Sequence, residues 1–214
     1  LEKALSTILR IEIKTTGAGR TDTGVHAKKM FAHFDFDGEI SEKLVHQLNS
    51  FLPSSIAVKK VFEVKEDFHA RFSAKYRTYE YYISLEKNPF SEKFAWQHWR
   101  KTLDVGKMNE ACKILFEYED FGSFAKVGAD NKTNICKIYH ANWEQNGNEL
   151  KFTISADRFL RNMVRAIVGT MVEIGSGKLK PADLRNVIEA KNRGVAGTSA
   201  PAHALFLVDV GYDF

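Results

Sequence analysis

Apolar residues recur along this 214-residue chain in two rhythms, one of the helix and one of the strand. Leu1, Leu5 and Ile8 fall at helical spacing. The period then shortens to two through "RIEIKTT", residues 10–16, which reads as a short strand. "KKMFAHFDFDG", residues 28–38, keeps that alternation. It assigns Met30, Ala32, Phe34 and Phe36 to a buried face, and Phe31, His33 and Asp35 to the other. Ser41 is placed to cap a helix through Phe51, closed by "LPSS". Strands near "IAVKKVFEV" and along "YRTYEYYISL" follow.

After "KNPFSEKFAWQHW" the alternation begins again. Asp104 caps a helix to about Phe116. "ICKIYHANWEQ" and "ELKFTISA" read as strands joined by a turn at Asn146-Gly147. Asp157 is placed to cap a long helix, "RFLRNMVRAIVGTMVEIG", ending at Gly175. On it Phe159, Leu160, Met163, Val164, Ile167, Val168 and Met171 form an apolar stripe, and Arg158, Arg161 and Arg165 share the opposite face. Pro181 opens another helix, and "ALFLVDVGY" is a closing strand. Mixed order with hairpins predicts an α+β fold with a largely antiparallel sheet. The chain divides into an N-terminal half, residues 1–103, and a C-terminal half, residues 104–214.

Composition narrows the function classes. Hydrophobic residues make up 44% of the chain and prolines number four, so a core can form and compositional disorder is excluded. A net charge of +4 permits a polyanionic partner without requiring one. Cys112 and Cys136 lie far apart and form no CxxC pair, which argues against a disulfide framework or structural zinc and for a reducing, cytoplasmic setting. No apolar run approaches the roughly 18 residues that cross a bilayer, so no membrane partner is expected. The chain opens without Met, already at helical spacing, and an upstream segment is expected to be missing.

Candidate chemistry starts at "GAGRTDTGVHA", residues 17–27, where glycines bracket Arg20, Asp22 and His26. Asp22 is either a turn residue or a catalytic carboxylate. A phosphate loop fits poorly, because the segment matches neither GxGxxG nor GxxxxGK[ST] and a strand, not a helix, follows it. In "YRTYEYYISL", period two puts Arg77, Tyr79, Tyr81 and Ile83 on one face. That stripe reads equally as packing or as a surface on which unpaired bases stack. The arginines of the long helix read as a solvated face, a row aimed at phosphates, or one arginine turned inward to hold a carboxylate. Seven histidines include no HxH or HExxH pair, and no metal site is expected. A carboxylate, arginines and tyrosines without a cofactor fingerprint suit chemistry on a sugar or nucleotide.

"GAGRTDTGVHA" closely resembles the signature of the TruA family of tRNA pseudouridine synthases. "RFSAKYRTYEYYI" is similar to that family's R-x-Y-x-Y strand. "FLRNMVRAIVG" with "MVEIGSG" is similar to its third motif, and "GTSAPAHALFLVDVGY" to its closing segment. The order is kept from residue 17 to residue 212. The one departure is Ala204, where the family usually has Gly. The resemblance implies two similar α/β halves with sheets merged around a central active-site cleft. It also implies a homodimer without metal or cofactor, and the loss of only an N-terminal strand and turn.

Its implied activity is isomerisation of uridine to pseudouridine in the anticodon stem-loop of tRNA, at tRNA positions 38 to 40. Asp22 then matches the catalytic carboxylate and Tyr79 the tyrosine stacked on the target base. Arg20 matches the arginine that helps displace the base, Arg165 the arginine paired with the aspartate, and Leu205 an apolar pocket residue. No role is implied for Arg158 or Arg161, which stand as phosphate-contact candidates. Two rival functions remain: a nucleoside or glycan hydrolase, which would usually want a second carboxylate, and a non-catalytic RNA-binding module.

Overall fold

A computed structural model describes residues 1–99, 102–129 and 132–214. In chain order it contains α1 (Glu2–Leu9), β1 (Thr16–Gly17), β2 (His26–Ala27), β3 (Ala32–His33), α2 (Leu44–Phe51), β4 (Tyr76–Ser84) and β5 (Trp96–Gln97). Then come α3 (Val105–Leu115), β6 (Ile138–Asn146), β7 (Glu149–Ala156), α4 (Met163–Gly175), α5 (Asp183–Glu189) and β8 (Leu205–Gly211). The α+β class and the largely antiparallel sheet are as the alternating periods predict.

Packing groups the chain into two compact units, which do not follow a division at residue 103. One unit comprises Leu1–Gly19, Phe31–Ala74 and Asp213–Phe214, and the other Arg20–Met30 and Lys75–Tyr212. The reason is hydrogen bonding. β4, from the first half of the sequence, pairs along its length with β7 and β8 from the second, so it cannot belong elsewhere.

In the larger unit six strands form one sheet in the order β2-β8-β4-β7-β6, with β5 also pairing β4. The neighbours β2–β8 and β4–β5 are parallel and the rest antiparallel. Period two is kept with few exceptions. Leu150, Phe152, Ile154 and Ala156 of β7 are fully buried, as are Tyr81 and Ile83 of β4. They share a core with Met108 and Leu115 of α3 and with Met163, Ile167 and Met171 of α4. Eleven residues of α4 are buried, so this helix is apolar on nearly every side and runs through the core.

The predicted turn between β6 and β7 lies one residue later than expected. Asn146 pairs with Glu149, so Gly147 and Asn148 form the two-residue loop, with Gly147 taking the positive φ of 58°. Asp104 does cap α3, its side chain accepting from the Lys107 amide at 3.0 Å.

The smaller unit has its own core of Ala4, Leu5, Ile13, Leu44 and Leu48, with Phe34, Phe36 and Val58 packed on it. Here strand expectations fail where side chains take over the ladder's work. "RIEIKTT" supplies only Thr16, the first residue of β1, because Ser6 Oγ accepts from the Ile13 amide at 2.9 Å and Glu2 Oε1 from the Thr15 amide at 2.8 Å. "IAVKKVFEV" is not a strand, and Asn49 both accepts from the Val58 amide and donates to its carbonyl. Of "KKMFAHFDFDG" only Ala32–His33 pairs, with β1. Met30 is 43% exposed and Ala32 is exposed, while Phe31 packs near Phe214 and His33 near Phe68. Ser41 closes a turn ahead of α2, which starts at Leu44.

Candidate active site

The residues that converge all belong to the larger unit, and the turn before β2 supplies the first of them. The Asp22 carbonyl accepts from the Val25 amide at 3.1 Å, and Gly24 sits at φ +89°. That left-handed conformation, more than lack of space, demands glycine there. His26 then enters the sheet, pairing with Phe206 of β8 and stacking on its ring at 4.7 Å. Asp22 is thereby held on a tight turn whose far end is fixed in the sheet.

Arg165 lies in the first turn of α4. Its Nη1 donates to Asp22 Oδ2 at 2.8 Å, and its Nε to the Ala200 carbonyl at 2.7 Å. The Ala200 amide in turn donates to the Arg165 carbonyl at 2.9 Å. This reciprocal pair requires the segment 196–200 to lie directly on the helix backbone, which Gly169 permits: a Cβ there would sit 1.8 Å from the Thr198 carbonyl oxygen. The Gly197 amide also donates to Thr170 Oγ1 at 2.9 Å, and the Tyr81 hydroxyl to the Pro201 carbonyl at 2.9 Å. The guanidinium is therefore oriented before it meets the carboxylate. The side chains of Asp22 and Arg165 are only 18% and 21% exposed, so solvent screens this pair less than a surface one.

Tyr79 comes from β4 at a register shift. Thr78 pairs with Asp209 and Tyr79 with Leu207, which leaves Val208 as the extra residue of a β-bulge. Such bulges turn a strand locally and re-aim its side chains. Phe159 packs edge-on against the Tyr79 ring at 5.3 Å. Burial and the nearby Asp22 charge push the Tyr79 hydroxyl up to about 12, against an opposing effect of Arg77, so it is protonated at neutral pH. Leu205, at the start of β8 opposite Tyr81, is 5% exposed and belongs to the core on which Tyr79 packs. Arg20 is exposed and makes no ion pair or hydrogen bond among the described residues.

The predicted arginine face is corrected. α4 begins at Met163, so Arg158 and Arg161 precede it. Asp157 does not cap it, because its Oδ1 accepts from the amides of Lys137 and Arg158 instead. Asn162 takes a left-handed φ of 69°, and its amide side chain donates to Ser199. Arg158 Nη1 donates to the Thr133 carbonyl at 3.4 Å, its one side-chain hydrogen bond among the described residues. Arg161 Nε, however, lies 3.6 Å from Asp22 Oδ1. Helical periodicity concealed that contact. The readable signal was Asn162, a residue tolerant of left-handed backbone, just before the stripe becomes regular.

The site thus offers a largely buried carboxylate held by one arginine and bordered by a second, near a tyrosine ring backed by Phe159. Among the described residues no three His, Cys, Asp or Glu side chains gather as metal ligands would. A model described as tRNA pseudouridine synthase matches residues 111–213. The chain is 53% identical to the tRNA pseudouridine synthase A of Parabacteroides distasonis, over 99% of this chain and 84% of the relative. It is 55% identical to that of Bacteroides fragilis, over 99% and 85%, and 39% identical to that of Bacillus subtilis, over 100% and 88%.

Proposed function

The chain belongs to the tRNA pseudouridine synthase family, whose members are isomerases, and on that premise we propose that Asp22 is its catalytic carboxylate and a uridine of the tRNA anticodon stem-loop its substrate. The net change is an exchange within one nucleotide. The C1′–N1 bond breaks, a C1′–C5 bond forms, C5 gives up a proton and N1 gains one. No heavy atom of the base leaves, the proton count is unchanged, and no electron donor or acceptor is consumed.

Two routes lead through a carboxylate, attack on C1′ or removal of a ribose proton. Both need an ionised group close to C1′ and shielded from water that would divert the reaction. The observation that carries the reading is the Arg165–Asp22 pair at 2.8 Å, with the guanidinium tied independently to Ala200. That arrangement fixes one carboxylate oxygen and leaves the other toward the more exposed Arg161 side. Tyr79, backed by Phe159, presents a ring on which a flipped uracil can stack. A hydroxyl that is protonated at neutral pH suits a hydrogen-bond donor or a proton carrier after the base has turned. Exposed Arg20 serves to draw the nucleotide from the stem by contacting its phosphates, offsetting an unstacking cost of a few kcal/mol. Leu205 closes the apolar floor. The protein acts in the cytoplasm as a homodimer.

The deciding experiment is Asp22→Asn with two readouts. Pseudouridine formation in an anticodon stem-loop transcript is expected to vanish, while binding of the same RNA stays within roughly tenfold, since binding a polyanion gains nothing from a buried negative charge. A mutant that still converts uridine would overturn the assignment. A wild type that binds the transcript without converting it, and a variant that binds it equally well, would point to a non-catalytic RNA-binding module.

A further inference from the structure

Asp22 is one negative charge facing two arginines, and the two are not alike. Arg165 is 21% exposed and makes a close bond of 2.8 Å, whereas the Arg161 side chain is 53% exposed and its Nε stops at 3.6 Å, beyond hydrogen-bond length. Asp22 is already oriented without Arg161. Arg161 in turn has no other ion pair or hydrogen bond from its side chain among the described residues. The pair of arginines leaves one positive charge over at the rim of the site, with no second carboxylate paired to it among the described residues.

The backbone that carries Arg161 is nonetheless fixed. Its carbonyl accepts from the Lys126 amide at 2.9 Å, and the next residue, Asn162, is tied to Ser199 at 2.7 Å. Residues 158–160 carry no helix or strand, and Phe159, two positions before Arg161, packs on the Tyr79 ring. One loop therefore reaches Tyr79 with one side chain and Asp22 with another. An anchored stem with a half-exposed guanidinium is the arrangement of a phosphate-binding arginine, whose planar fork takes two oxygens at once.

We infer that Arg161 binds a backbone phosphate of the RNA next to the nucleotide held at Asp22, and that its long contact with Asp22 is the waiting position of that guanidinium. This rests on the catalytic reading of Asp22. When RNA binds, the guanidinium turns to the phosphodiester and Asp22 Oδ1 is left clear to meet the ribose. Arg158, bonded to a backbone carbonyl, takes no part.

The test compares the wild type with Arg161→Gln and Arg161→Lys, using the full chain and an anticodon stem-loop transcript. Conversion is measured by steady-state kinetics and binding across a salt series. Arg161→Gln is expected to raise KM roughly tenfold with kcat within about twofold, and to flatten the log–log salt dependence of binding by about 0.7 to 1. Arg161→Lys should restore the salt slope, because it keeps the charge. A fall in kcat with an unchanged salt slope would overturn the inference and make Arg161 a holder of Asp22 alone. Loss of both with a lowered melting temperature in Gln but not in Lys would equally overturn it, as a structural role. A wild type that converts no uridine would instead sink the catalytic reading of Asp22.

Discussion

Tyr79 concentrates what single residues decide here. Its ring is pinned edge-on by Phe159, and its hydroxyl stays protonated until about pH 12. If stacking is its main service, Tyr79→Phe retains most of the activity, while Tyr79→Leu falls by about one to two orders of magnitude, the worth of a base–aromatic stack. Equal loss in the two variants, read as kcat/KM, would transfer the role to the hydroxyl. The same substitution has a pH signature. The folded value lies above the ordinary tyrosine value of 10.0, so the folded state holds a proton that the unfolded state releases. Stability is therefore undiminished below pH 10 and falls as pH rises from 10 to about 12. Denaturant midpoints should drop less for Tyr79→Phe than for the wild type across that window. Cys112 and Cys136, also pushed up to about 12 by burial, affect both proteins alike. Asp22 and Tyr79 were legible in the sequence because their motifs are compact. Arg161 was legible only as a phosphate-contact candidate; its place beside Asp22 was not, because that depends on where a helix starts, and apolar spacing at 159, 160 and 163 suits a loop against the core as well as a helix.

Among the elements, α4 and the segment after it behave as one part. Gly169 lets the Thr198 carbonyl approach the helix backbone, and a methyl group there would meet backbone on that side. Gly169→Ala should destabilise the protein by about 1–3 kcal/mol, the usual penalty of overpacking. It should also lower kcat, because the Ala200 carbonyl that orients Arg165 must move away. Thermal melting with single-turnover kinetics would separate the two effects, and unchanged kcat would show that Arg165 needs no such support. This coupling was hidden from sequence reading, since glycines at 169 and 197 carry no pattern until the two backbones meet. The long strands of the sheet were legible because burial on one face enforces period two. The short segments of the smaller unit were not, because side chains such as Asn49 satisfy backbone groups that a ladder would otherwise claim.

For the whole molecule, the proposed substrate and assembly make the remaining forecast. An isolated anticodon stem-loop should be converted, if less efficiently than full tRNA, and sedimentation should report a dimer. A stem-loop left untouched while full tRNA is modified would move the target elsewhere in the tRNA. The topology carries a consequence for how such an enzyme comes into being. β8 is not an edge strand but lies between β2 and β4, and Asp22, Tyr79 and Arg165 are set by what it touches or adjoins. A ribosome that has made everything through residue 204 has made the carboxylate, the tyrosine and both arginines, yet their scaffold lacks an inner strand. A chain that stops at residue 204 is therefore expected to convert no uridine, and a truncation ahead of Leu205–Gly211, assayed on the stem-loop transcript, would check it.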